Sequence, residues 1–325
     1  KIHLYSNQVF VTDDVRDIVP EWLLLLHGVI DSPDIPLNVS RSYLQADGNV
    51  KKISEYITRK VADKLNELFK NDRPSYEQKW RDLGVFVKYG VISDKKFEER
   101  AMNFTLVENT QGAFFLLDEY KEKIKTNQTD KHGKVVVIYT NDPEAHNAQI
   151  TAATGRGYDV LRLETVLDNH WIQHIEYQQG QLGLVFVRVD SETLDNLVQK
   201  DEKRESILSE AEQNDVKSLF ETAVKGQVGA SVTLSPLAPD DAPVLITRPE
   251  FMRRLKEMQS MQGMGGMGDF PDSYNVVVNT NHPIIVNKLL KITESAEKEQ
   301  MSKYLLNLAL LQQGMLRGEA LTGFV

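Results

Sequence analysis

The chain contains no cysteine. Disulfides, thiolate metal sites and thiol nucleophiles are thereby excluded, and secretion gains no support from a disulfide framework. Long apolar runs are also missing. The longest near the start is Trp22-Leu23-Leu24-Leu25-Leu26, against the roughly 20 residues of a membrane-spanning helix. The first ten residues alternate polar and apolar, which is not the form of a signal peptide. Positive charge is in deficit: 38 Lys+Arg face 47 Asp+Glu, a net charge of −9. That balance argues against non-specific nucleic-acid binding. No Walker-type loop and no complete G-x-G-x-x-G stands anywhere in the sequence, so no nucleotide pocket of the chain's own is legible. An initiator methionine is lacking too, and the opening Lys1-Ile2-His3-Leu4-Tyr5 is strand-like. We read the chain as a piece of something longer.

What is present is a globular composition. The 325 residues are 41% hydrophobic and 26% charged, enough apolar material for about two domains. Ile2, Leu4 and Val9-Phe10-Val11 have strand spacing, and Val15–Gly28 reads as a helix around Pro20. Asp31-Ser32-Pro33-Asp34-Ile35-Pro36-Leu37-Asn38 is aperiodic. Two prolines in four residues stiffen it as a loop, because each lacks an N–H and restricts its predecessor. Val50, Ile53, Ile57, Val61, Leu65 and Leu68 recur at helical spacing after a cap at Asn49. Helices over Tyr76–Tyr89 and Asp94–Phe104 follow.

Strands at Ala113–Leu117, Val135–Tyr139, Tyr158–Leu163 and Leu184–Val189 then alternate with helices near Asp118–Ile124, Pro143–Ala153 and Leu167–Gln178. This alternation predicts a layered α/β unit with a largely parallel sheet. The charged stretch 199–208 is the expected linker, separating residues 1–200 from 209–325. Beyond it the pattern is α+β: a helix at Glu210–Val224, strands at Val228–Leu234, Pro243–Thr247 and Tyr274–Val278, an amphipathic helix from Pro249, and terminal helices.

Five features could carry chemistry. Asn38, Arg41 and Gln45 lie at i, i+3, i+7 and share a face in helical geometry. A guanidinium with two amides is a donor set for phosphate or carboxylate, though an ordinary surface turn would read the same way. His170 and His174 stand at i, i+4, but Trp171 occupies the place where a zinc protease needs Glu, so a solvated helix face is preferred to a metal site. Gly155-Arg156-Gly157 follows a helix and reads as its C-terminal cap, not a phosphate loop.

The fourth feature is the Met-rich helix. Phe251, Leu255 and Met258 line one face, flanked by Met252 and Met261, while Arg253, Arg254, Lys256 and Glu257 occupy the other. Five of the eight methionines fall between Met252 and Met267, beside several glycines. Such an adaptable face suits partners of varied shape, although packing into a core is the commoner fate of a Met stripe. The fifth is the run Tyr304-Leu305-Leu306-Asn307-Leu308-Ala309-Leu310-Leu311, too apolar all round for a monomer's surface helix. Gly314 is the expected stop, and Met315, Leu316, Ala320, Leu321 and Phe324 continue as a short helix. Against symmetry mates these would make a four-helix dimer interface through Tyr304, Leu305, Leu308, Leu311, Met315 and Leu316, the alternative being that the run packs within its own domain.

The segment Asp31–Arg41 resembles, almost letter for letter, the signature loop of the heat-shock protein 90 chaperones. Val9–Asp14, Ile18–Leu23, Gly28–Ser32, Phe251–Arg254 and Ala309–Leu321 are similar to the same family in the expected order, most like a bacterial form. One position departs: Ser42 stands where the family commonly has Glu. The resemblance implies a middle domain over 1–200, with a small α/β subdomain at about 105–195 and its opening strands missing. A C-terminal dimerisation domain would occupy 209–325, and the N-terminal ATP-binding domain would be absent.

In that family the counterpart of Arg41 reaches the γ-phosphate of ATP, held with Mg2+ by the N-terminal domain, and Asn38 and Gln45 support its loop. No ATPase is then expected of this segment alone, and hydrolysis belongs to the full-length protein. Trp171, Phe251, Met252, Leu255, Met258 and Met261 would face client proteins. A homodimer with non-native clients and family co-chaperones as partners, in the cytoplasm and in the stress response, completes what the resemblance implies. Neither nucleic acid nor membrane is an expected partner. The competing expectation is a non-enzymatic dimeric scaffold.

Overall fold

The structure, a computed structural model, describes residues 1–16, 18–24, 27–33, 48–178, 183–200, 204–261 and 273–325, with side chains left aside at 48–50 and 256–261. The chain begins with strands β1 (Ile2–Ser6), β2 (Val9–Thr12) and β3 (Gly28–Asp31). Strand β1 pairs antiparallel with β2 and parallel with β3. The helix expected over Val15–Gly28 does not form. Its described part is turns and a 3-10 turn at Glu21–Leu23, and Gly28 onward is claimed by β1. Pro20, which has no N–H to donate, sits where that helix would need one.

Helices α1 (Gly48–Asn71), α2 (Arg73–Ser93) and α3 (Lys95–Ala101) agree with the periodicity. Asp72 caps α2 by accepting from Ser75 N at 3.1 Å, and Asp94 caps α3 through Lys96 N and Phe97 N. A hairpin of β4 (Leu106–Asn109) and β5 (Phe114–Leu116) leads into α4 (Leu117–Ile124). Strand β4 was not foreseen, because only two apolar residues precede its turn. The Asn109 side chain closes that turn, accepting from Gln111 N and Ala113 N.

Then come β6 (Val135–Thr140), α5 (Asn147–Gly155), β7 (Val160–Arg162), α6 (Asp168–Gln178), β8 (Leu184–Arg188) and the short α7 (Leu194–Leu197). The remainder is α8 (Glu210–Ala223), β9 (Ala230–Ser235), β10 (Val244–Thr247), α9 (Glu250–Met261) and β11 (Tyr274–Asn279). Short π and 3-10 turns follow over Ile284–Lys291, then α10 (Ser295–Gln312) and α11 (Glu319–Phe324). The fold is mixed α/β, its strands gathered in small mixed sheets.

Two compact units emerge. The first comprises Lys1–Tyr120 and Thr165–Gly180. Its aromatic core stacks Trp22 on Phe97, with ring centroids 4.1 Å apart, and Tyr76 donates from its hydroxyl to Phe104 O at 3.1 Å. A buried ion pair joins Lys88 to Asp168, and Lys88 Nζ lies 5.2 Å over the Trp171 ring.

The second unit comprises Lys121–Glu164 and Gln181–Val325. All six residues of β6 are buried, as befits a central strand paired in parallel with β7 on one side and β8 on the other. Helix α5 packs Ala153 among Val136, Ile138 and Val160. Gly157, at φ +78°, ends α5 as a cap, with Gly157 N bonded to Thr154 O and Tyr158 N to Ala153 O. A separate core gathers α8, β9, β10, β11 and α10 around Phe220, Val276, Val278, Ile285 and Leu306. Strand β11 pairs in parallel with β9 and antiparallel with β10. Ser209 and Glu212 form a reciprocal capping box at the start of α8.

Candidate functional site

Helix α9 is amphipathic, and its polar side is the anchored one. Glu250, in its first turn, accepts from Arg253 at 2.5 Å and Arg254 at 2.7 Å, the i+3 and i+4 positions. The same carboxylate receives the Tyr139 hydroxyl at 3.0 Å and the Arg188 backbone N–H at 3.1 Å. Arg253 also donates to the Tyr139 hydroxyl, and Arg254 to Phe186 O at 2.9 Å. The polar face is thus fastened to β6 and β8. Burial raises the Glu250 carboxyl, but the Arg253 and Arg254 charges outweigh it and hold the group below the ordinary range. Burial beside Glu250 pushes the Tyr139 hydroxyl up.

The opposite face of α9 is open. Phe251 is 74% exposed, and Met252 and Leu255 are exposed beside it. A helix whose guanidinium and carboxylate groups are satisfied inward has no need to bury its apolar stripe, and here it does not. Large apolar side chains gathered on one exposed face are a feature that a monomer's surface rarely carries. Core packing, the ordinary fate of such a stripe, does not hold for these three. The side chains of Met258 and Met261 lie outside the described residues.

Helix α10 is built the other way. Leu305, Leu306, Ala309 and Leu310 are buried in the core against α8 and β10. Tyr304, Leu308 and Leu311 form an outer stripe, the two leucines 40% and 41% exposed. The Phe324 ring of α11 lies 5.4 Å from that of Tyr304. Leu305 and Leu316 were expected at a dimer interface; both are buried within their own unit, so that expectation is corrected for these two. Met315 is half-buried against the same core. Gly314, at φ +63°, ends α10 with Gly314 N bonded to Leu311 O and Met315 N to Leu310 O.

Trp171, expected to face clients, is fully buried at 0% exposure beneath Lys88. A side chain with no surface offers nothing to a client, and its place is in the packing of the first unit. His174 Nε2 lies 2.9 Å from Glu98 Oε1 on α3, an engaged helix position. No cluster among the described residues could hold a metal ion, and no described helix is long and apolar enough to cross a membrane. Asn38, Arg41 and Gln45 lie outside the described residues.

The anchors Tyr139, Arg188 and Glu250 were missed in the sequence. Glu250 had a local signal, an acid ahead of arginines at i+3 and i+4. Tyr139 and Arg188 had none, being 111 and 62 positions away.

A family model described as Hsp90 protein matches residues 1–320. Chaperone protein HtpG of Porphyromonas gingivalis is 47% identical over 300 residues, covering 91% of this chain and 44% of that protein. Its namesake in Bacteroides thetaiotaomicron is 44% identical over 288 residues, covering 88% and 42%. That of Roseobacter denitrificans is 31% identical over 234 residues, covering 71% and 37%. The chain spans less than half the length of these relatives. The match runs through the exposed face of α9 and the whole of α10, and the chain belongs to the Hsp90 family.

Proposed function

We propose that this chain is the middle and C-terminal part of an ATP-driven chaperone that holds non-native proteins on the apolar face of α9. The observation that carries the reading is the inversion of that helix: its charges are satisfied inward, and Phe251, Met252 and Leu255 are left to solvent. Met and Phe on an open face accommodate partners of varied shape, because the thioether is flexible and polarizable. Met258 and Met261 continue the face by their spacing. The middle domain would span residues 1–200 and the C-terminal domain 209–325, with the chain of 199–208 between them. A cytoplasmic location and family co-chaperones go with the reading.

The chain would act as a homodimer through α10 and α11. Tyr304, Leu308 and Leu311 supply apolar surface that the chain's own core does not cover. A symmetric pair of such stripes is self-complementary, which suits a two-fold interface.

Arg41 would serve ATP bound elsewhere in the full-length protein, with Mg2+ at the nucleotide. An arginine brought in from a neighbouring domain stabilises charge on the transferring phosphoryl oxygens. Asn38 and Gln45 would hold its loop.

The decisive experiment is suppression of client aggregation. Phe251→Lys with Met252→Lys is expected to weaken suppression severalfold while leaving the melting temperature unchanged. Unchanged suppression would remove α9 as the client surface. In the full-length protein, Arg41→Ala is expected to lower ATP hydrolysis by about tenfold or more, with dimerisation intact. An unaltered rate favours a non-enzymatic scaffold.

A further inference from the structure

The second unit holds a partly open cavity of about 220 Å3. Its walls come from α5, the connection after β8, β10 with the turn before it, and the end of α10. Val189, Leu194, Leu245 and Ile246 give it an apolar lining. Two hydroxyls stand in that lining, on Thr193 at 4% exposure and Thr247 at 3%. Neither Oγ1 has a hydrogen-bond partner among the described residues, and neither does the buried amide oxygen of Gln149 on the same wall. An unsatisfied buried polar group costs about 1–3 kcal/mol. Three around one cavity call for something that hydrogen-bonds to them.

Charge narrows the class. Every ionisable residue lining the cavity is acidic: Asp190, Glu192, Asp240 and Asp241. Asp190 is neutralised by Arg188 at 2.5 Å, with His146 Nε2 3.4 Å away, and Asp241 by Arg156 at 3.0 Å. Glu192 is half-buried and has no hydrogen-bond or ion-pair partner among the described residues. Burial raises its carboxyl above the ordinary value, the response of an acid lacking a counter-charge. With no cation in the wall, an anion has nothing to meet. The four acids do not converge as metal ligands either.

We propose that this cavity binds a small organic cation, a primary ammonium on an apolar body, with one of its three N–H groups donating to the Glu192 carboxylate and the other two shared among the free oxygens of Thr193, Thr247 and Gln149. The volume lies below the roughly 300–1,000 Å3 of drug-sized sites, so the ligand is fragment-sized.

The test titrates the chain with three probes that share a ring and differ in charge: phenethylammonium, 2-phenylethanol and phenylacetate. Phenethylammonium is expected to bind saturably with a Kd of ~1 mM, shifting the amide resonances of Thr193 and Thr247. The alcohol is expected to bind more weakly and phenylacetate not at all. Glu192→Gln should raise the Kd by about tenfold. Ala152→Leu, on the cavity wall, should abolish binding with an unchanged melting curve. Absence of saturable binding, equal binding of all three probes, or an unaffected Kd in Glu192→Gln each overturns the proposal and leaves the cavity to water.

Discussion

Helices α9 and α10 belong to the same unit, and each has an apolar and a polar side, yet they turn opposite sides inward. In α10 the leucines of one side fill the core formed with α8 and β10, and only the outer stripe is open. In α9 the inward side is Glu250, Arg253 and Arg254, locked to Tyr139, Arg188 and Phe186. Amphipathicity therefore gives the direction of a contrast but not its sign. A buried charged face is tolerable when every charge is paired and hydrogen-bonded. With that side held inward, Phe251, Met252 and Leu255 are left at the surface.

The largest effect should come from the inward side of α10. Leu306→Ala removes a side chain buried at 1% exposure and is expected to cost about 3–4 kcal/mol in denaturant unfolding, within the range for leucine truncation. A loss as small as a surface change would mean that the core has no tight contact there.

Next is the inward side of α9. Glu250→Gln strips the counter-charge from Arg253 and Arg254 and should cost about 2 kcal/mol, with faster hydrogen exchange over 250–261. The pH dependence carries the same signature. Glu250 and Asp190 are both held below the ordinary carboxylate range: burial raises each, but the arginines, and His146 for Asp190, outweigh it. A depressed folded pKa gives stability that is complete above the unfolded value. That stability drains away as pH falls below about 4 toward the folded value. Melting temperatures between pH 7 and pH 3 should therefore fall less steeply in Glu250→Gln than in the parent. Parallel curves would separate Glu250 from the acid response.

A smaller effect belongs to the end of α10. At Gly314 an added Cβ meets nothing within 4 Å, but φ is +63°, so Gly314→Ala should cost about 1 kcal/mol from backbone strain alone. A neutral result would show that the cap relaxes.

Smallest in stability are the outward sides. Leu308→Lys with Leu311→Lys should move the unfolding free energy by no more than ~0.5 kcal/mol, yet sedimentation should show a monomer where the proposed interface predicts a dimer for the parent. A dimer surviving both changes would relocate the interface.

Much of the architecture was legible in the sequence. The periodicity of Val50–Leu68 set α1, the apolar run Val135–Tyr139 marked the central strand, and Gly157 and Gly314 stopped the helices they were expected to stop. Each of these is a local matter of spacing or of a φ angle that favours glycine. The misses share a different cause. The helix expected over Val15–Gly28 is interrupted at Pro20 and gives up its last residue, Gly28, to pairing with β1, and β4 depends on its partner across a turn. Strand hydrogen bonds are made with residues elsewhere in the chain, so local pattern carries only half of the information.

The sequence by itself determined the family, the two-sided character of α9 and α10, and the presence of an apolar surplus at the C-terminal end. Only the tertiary structure decided which side of each helix meets solvent, that Trp171 is core, and that Glu192, Thr193 and Thr247 share a cavity. The physical reason is that burial depends on partners distant in sequence. Tyr139 and Arg188 turn a polar helix face into an inward one, and nothing near α9 in the chain announces them.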